Sequence, residues 1–283
     1  IWPKLTTPEE RLADMDKAGV DLQVISPSPA QYYYWADRDA AEHIAKLCNE
    51  NIADVCAKYP TRFKGLGNVS LQHPDLACAQ LEHAVKKLGF AGVEISSTIH
   101  GAELNDPRFN TFWAKAEALN AVVFIHPLGS SLGTRVVPYF LSNTIGQPLE
   151  TTIALSMMIF SGLFDRHPAL KIIAAHGGGY LPLYAGRSDH AHYVRPEAMQ
   201  CKHPPSHYLK HIWHDTVVYH AQALTHLIDA VGAAQVVLGS DYPFDMAESD
   251  PLSLLSAIEG LSDEDCAAIL GGNATKLLSL SEH

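Results

Sequence analysis

Three residues at the ends of apolar runs have side chains suited to chemistry. Asp241 lies in Val236-Val-Leu-Gly-Ser-Asp-Tyr-Pro-Phe244, where a short apolar run and Gly239-Ser240 place a carboxylate at the C-terminal tip of a buried strand. Pro243 holds Tyr242 extended, so the chain leaves the strand there. Two further runs close on histidine: Ala121-Val-Val-Phe-Ile-His126-Pro127 and Lys171-Ile-Ile-Ala-Ala-His176-Gly-Gly-Gly179. Taken singly, each His reads more readily as a hydrogen-bonded structural residue, whereas a turn cap is the lesser alternative for Asp241. Together, neutral imidazoles and a carboxylate at strand tips are what a divalent transition metal and its bound water require.

The elements that must position them follow a repeating pattern. Thr7-Pro8-Glu9-Glu10 predicts a helix start with Thr7 as N-cap, proline at the first position and acids in the first turn. That helix runs to Gly19, and Val20 to Ser26 follows as a strand. Further strands are expected from Phe63, Gly92, Val122, Ile172, Ile212 and Val236. Helical periodicity covers Asp39 to Tyr59, Asp75 to Leu88, Arg108 to Leu119, Leu149 to Phe164, Ala221 to Val231 and Asp263 to Leu270. Strands alternating with helices at this spacing mean βα units and a parallel sheet. The count is seven strands, one short of a (β/α)8 TIM barrel. A doubly wound sheet is the rival architecture. Because the chain opens on a helix that feeds its first strand, a leading βα unit upstream of Ile1 is expected.

Composition bounds the function. The chain has 283 residues, a net charge of −11 and 47% hydrophobic residues, which fits a single globular domain spanning 1–283. The acidic balance argues against nucleic acid or an anionic membrane as partner. Five cysteines without CxxC spacing suggest neither a disulfide framework nor a cysteine zinc site, and a reducing cytoplasm is the default location. Thr152 to Phe164 is too short and too punctuated to span a bilayer; it reads as a helix buried nearly all round, or one facing a partner subunit. Tyr32-Tyr-Tyr-Trp35 follows a strand tip and either lines a pocket or packs a loop, and Trp113, Tyr139 and Phe140 are further pocket candidates.

With His126-Pro127, His176-Gly-Gly-Gly179 and Gly239-Ser-Asp-Tyr-Pro-Phe244 in this order, the chain resembles the metal-dependent amidohydrolase superfamily. Within it, the sequence is most similar to the 2-amino-3-carboxymuconate-6-semialdehyde decarboxylase-like branch of nonoxidative decarboxylases. Supporting stretches are Met15 to Val24, Gln147 to Ile153, Gly186-Arg187 and Gly271 to Ala274. The resemblance implies a distorted TIM barrel holding one divalent metal, zinc before manganese or another ion. It assigns His126 and Asp241 as metal ligands, His176 as the catalytic histidine and His220 as a second pocket histidine. Arg187 matches an arginine that pairs with substrate carboxylate in a neighbouring subunit's site, which implies a homodimer or higher homo-oligomer; a salt bridge at a helix start is its plainer alternative. The HxH or ExH pair of the family's first strand has no counterpart before Val20, so those ligands are expected upstream of Ile1.

The implied reaction is release of CO₂ from an unsaturated or aromatic carboxylic acid. Water activated at the metal could equally attack carbon, so a lactonase-like hydrolase or a hydratase is the first rival. Glu94 stands where many hydrolytic relatives carry a bridging lysine, which favours a mononuclear site; its own expected role is that of a buried polar partner. A noncatalytic ligand-binding barrel is the rival of another class.

Overall fold

Runs rich in Val and Ile, too short for helices and closed by Gly, Pro or His, become the strands of one sheet. The computed structural model describes residues 1–248 and 250–280. Its main sheet contains β1 (Gln23–Ile25), β2 (Phe63–Asn68), β3 (Gly92–Ile95), β4 (Val122–Ile125), β5 (Lys171–Ala174), β6 (Ile212–Asp215) and β7 (Val236–Val237), hydrogen-bonded in that order. Every neighbouring pair is parallel.

This order decides between the two expected architectures. A doubly wound sheet reverses its strand order at a switch point; here the order follows the chain throughout. Right-handed crossovers then stack the helices on one face, and the sheet curls around the other. Val24, Leu66, Glu94, Phe124, Ile173, Asp215 and Val237, one from each strand, line a single cavity. The result is a curled seven-stranded sheet of the distorted TIM-barrel type, with β1 and β7 as its edges. No eighth strand joins it among the described residues.

The helices that cover the outer face are α1 (Pro8–Ala18), α2 (Arg38–Lys58), α3 (Pro74–Lys86), α4 (Asn110–Ala118), α5 (Gln147–Phe160), α6 (Leu181–Val194) and α7 (Ala221–Val231). Strand residues alternate between the two faces. Val93, Ile95, Val123, Ile125 and Ile172 therefore turn outward, into a core shared with Leu81, Phe112, Leu155 and Met158 of the helices. Each such side chain, fully removed from water, stabilises the fold by roughly 1.5–3 kcal/mol. Trp113 belongs to the same core, its indole N–H donating to the Leu104 carbonyl at 2.9 Å, so it lines no pocket.

One local expectation is met in part and another needs correction. Thr7 occupies the N-cap of α1, but its side chain makes no cap hydrogen bond; Pro8 and the first-turn acids start the helix without it. The apolar stretch Thr152 to Phe164 is not one buried helix. α5 ends at Phe160, Gly162 adopts φ 69°, and a separate short helix covers Leu163–Arg166. Met157 is 38% exposed, so α5 has an outward face.

At Gly92 the backbones of β3 and β4 approach so closely that an added Cβ would lie 1.8 Å from the Val122 carbonyl oxygen. Gly186, inside α6, has nothing within 4 Å of the same position. Gly92→Ala is accordingly expected to abolish soluble expression or destabilise by more than about 4 kcal/mol. Gly186→Ala should be neutral or stabilising by up to about 1 kcal/mol. Urea denaturation of the two variants checks the contrast.

Candidate active site

The strands end at the rim of the cavity, and the residues immediately after them define its mouth. His126 follows β4, His176 follows β5, and Asp241 comes after β7. All three line the same cavity of about 220 Å³. One side-chain ligand atom from each lies within 4.8 Å of the others, and the two imidazole centroids are 4.9 Å apart. Residues separated by up to 115 positions thus meet at one point.

A carboxylate from a fourth strand tip holds this convergence in place. Asp215, the last residue of β6, is buried, and its oxygens accept three backbone N–H bonds: from His176 at 3.0 Å, Gly177 at 2.8 Å and Val217 at 3.0 Å. His176 has φ 57°, a left-handed conformation that is costly for a non-glycine residue. Asp215 thereby fixes the turn on which the imidazole stands. The next residue, Thr216, pins the other loop: its hydroxyl accepts from Gly239 N–H at 3.1 Å and faces the Gly239 carbonyl at 3.2 Å. Gly239 cannot be larger, since a Cβ there would sit 2.8 Å from the Asp215 Cβ.

Electrostatics follow from this dryness. Burial, aided by the neighbouring His176, pushes the His126 pKa down to about 3, so His126 is a neutral imidazole at physiological pH. Burial likewise pushes the Asp241 and Asp215 carboxyls up, with His176 pulling both the other way. Glu94 on β3 is raised to about 7, again chiefly by burial, while hydrogen bonds from Ser26 and Tyr32 oppose the shift. Nδ1 of His126 and Nδ1 of His176 are buried without a hydrogen-bond partner. Unpaired buried nitrogens are costly. Two imidazoles and a carboxylate within this radius fit one divalent cation.

The remaining candidates lie elsewhere. His220 is exposed and caps α7, its Nδ1 accepting from Gln222 N–H at 3.2 Å. Arg187 stands exposed on α6 with no ion-pair partner among the described residues. Of the aromatic cluster, Tyr32 and Tyr34 stack at 5.5 Å and turn inward, whereas Trp35 is 73% exposed. Tyr139 and Phe140 are also exposed, away from the cavity wall. Two residues of the cavity lining, Asp215 and Arg11, carry no distinguishing signal in the sequence. Asp215 reads as one acid in a mixed strand and Arg11 as a helix residue, whereas Glu94 is the buried polar partner that the sequence suggests. Arg11 borders the cavity, donating to Gln23 at 2.9 Å and lying 5.1 Å from the Tyr242 ring centroid.

A curled parallel sheet with a His, His and Asp cluster at its C-terminal mouth defines a metal-dependent enzyme of the TIM-barrel class. The chain belongs to the amidohydrolase family, whose model matches residues 2–280. It is 36% identical over 275 residues to a 2-amino-3-carboxymuconate-6-semialdehyde decarboxylase from Dictyostelium discoideum, covering 96% of this chain and 77% of the relative. The fold matches 5-carboxyvanillate decarboxylase from Sphingomonas paucimobilis with a TM-score of 0.89 at 29% identity, over 96% of this chain and 83% of the other. A dihydroxybenzoic acid decarboxylase from Polaromonas sp. JS666, solved with bound manganese and 2-nitroresorcinol, matches with a TM-score of 0.88 at 28% identity, over 97% and 86%.

Near the site, His214 yields a pH test. It is fully buried on β6, and burial lowers its pKa from 6.5 to about 4, against a hydrogen bond to the Leu209 carbonyl. The unfolded chain therefore binds the proton first. Stability from this group is complete above pH 6.5 and is lost as pH falls through 4, a span worth about 3 kcal/mol. Urea denaturation across this range should show a steep loss in the native protein and a shallower one in His214→Gln.

Proposed function

We propose that this chain is a metal-dependent nonoxidative decarboxylase, a carboxy-lyase acting on an aromatic or unsaturated carboxylic acid. The convergence of His126, His176 and Asp241 within 4.8 Å is the observation on which this stands. Family membership and the decarboxylases named among its relatives support it. His126 and Asp241 would hold the cation. An imidazole nitrogen and a carboxylate oxygen suit zinc, with manganese as the competitor. When bound, a divalent ion supplies a Lewis acid and acidifies a coordinated water.

Decarboxylation breaks the bond between the ring or vinyl carbon and the carboxyl carbon. The carboxyl group leaves as CO₂, and a proton takes its place on carbon. His176, on its clamped turn beside Asp241, is placed to hold and move that proton. Asp215 is a positioning residue, acting through the His176 and Gly177 backbone. His220, the second candidate catalytic histidine, caps α7 through Nδ1 and lies outside the cavity lining, so no step is assigned to it in this scheme.

Arg187 serves the partner's cavity in a homodimer, gripping a substrate carboxylate by a charge-assisted fork. Exposed Leu183 and Tyr184 share its helix, and Val137, Tyr139 and Phe140 expose further apolar surface. Such a surface is expected to be covered by another subunit. No helix of the described residues is long and apolar enough to cross a membrane. The five cysteines are all free, in keeping with a reducing cytoplasm.

The test uses the full-length gene product. His126→Ala and Asp241→Asn should lower metal content at least tenfold by elemental analysis, which also separates zinc from manganese. His176→Ala should keep the metal and lose at least about 100-fold in CO₂ release. A panel of aromatic and unsaturated acids that yields hydrolysis or hydration products without CO₂ would overturn the assignment.

A further inference from the structure

Glu94 is a carboxyl group in a wall that packing alone would make apolar. It faces the cavity with Leu66, Phe124 and Ile173, while Val93 and Ile95, on either side of it, enter the helix-facing core. Inward positions of a barrel are dominated by Val, Ile and Leu. A carboxyl there, 2% exposed, pays a desolvation cost that only hydrogen bonds offset.

Its protein partners meet only part of that need. The Tyr32 hydroxyl donates to Oε1, and the Ser26 hydroxyl lies beside the carboxyl. A carboxylate offers about four lone-pair sites, and no lysine or arginine pairs with Glu94 among the described residues. Tyr32 is itself fixed, stacked on Tyr34 and 3.2 Å from the His126 carbonyl oxygen. The pair is therefore rigid and tied to the strand tip that carries His126, and Glu94, with two hydroxyl donors for about four acceptor sites, borders the cavity.

We infer that Glu94, braced by Tyr32, is a specificity-determining residue that accepts a hydrogen bond from a hydroxyl or amino substituent of the bound acid. The inference rests on the proposed decarboxylase reading for the identity of the ligand, and it narrows the substrate class to hydroxy- or amino-substituted aromatic or unsaturated acids. The same carboxyl, when ionised, repels a second anionic group at that place. It therefore also orients the substrate, with the carboxyl group that leaves held away from Glu94.

The test compares ligands that differ in one donor. Each of 2-, 3- and 4-hydroxybenzoate is paired with the fluorobenzoate substituted at the same carbon, and binding to the metal-loaded protein is measured by calorimetry. At one ring position the native protein should prefer the hydroxy acid by about 10- to 100-fold, the range for a hydrogen bond to a charged group. Glu94→Leu should erase that preference by weakening the hydroxy acid while leaving the fluoro acid and the metal content unchanged. Tyr32→Phe, which keeps the stacked ring, should reduce it in the same direction. Equal losses for both ligands, an unchanged preference, or a lowered melting temperature with the preference intact would each overturn the assignment. Because binding is read without turnover, a protein that distinguishes the pairs yet releases no CO₂ would refute the decarboxylase reading and leave the Glu94 assignment standing.

Discussion

The site depends on the anchoring of two loops by consecutive residues at the end of one strand. Asp215 takes the N–H groups of His176 and Gly177, and Thr216 takes the N–H group of Gly239. A hydrogen bond to a buried charge contributes about 1.5–3 kcal/mol, enough to offset the strain of a left-handed His176. Asp241 also has φ 57°. Both chemical side chains thus stand on backbone that an isolated loop would abandon, and β6 lies between their strands to hold them there.

Close packing makes that arrangement stiff. Gly92 admits β4 against β3, Gly178 leaves room for His214, and Gly239 leaves room for Asp215. Parallel strands with evenly spaced hydrogen bonds keep their tips in register. The imidazole of His126 and the carboxylates of Asp215 and Asp241 are held in a dry mouth where charge is weakly screened. Desolvation keeps His126 neutral, the form that can ligate a cation. It also makes Glu94 conspicuous, since Leu66, Phe124 and Ile173 beside it in the cavity lining are hydrocarbon.

The outer surface has a different logic. α6 carries Leu183, Tyr184 and Arg187 into solvent. Tyr139 is 93% exposed, in the segment that leads into α5. These are large apolar groups with no place in the barrel's own core, and they stand beside an arginine that has no ion-pair partner among the described residues.

The sequence by itself determined the strands, their order of appearance and the tips at which His126, His176 and Asp241 would stand. Those are local matters: apolar runs of a given length, glycines and prolines that end them, and side-chain types that ligate metals. It also fixed α7 at Ala221–Val231, because amphipathic periodicity there is strong. Only the tertiary structure decided that the sheet curls, that Tyr32 reaches Glu94 across 62 positions, and that Asp215 anchors the His176 turn 39 positions away. It likewise split the apolar stretch at Gly162 and sent His220 to a helix cap. A side chain's type can be read from the text, but its partner is set by which strand tips the curled sheet brings together, and that distance is written in no single stretch of sequence.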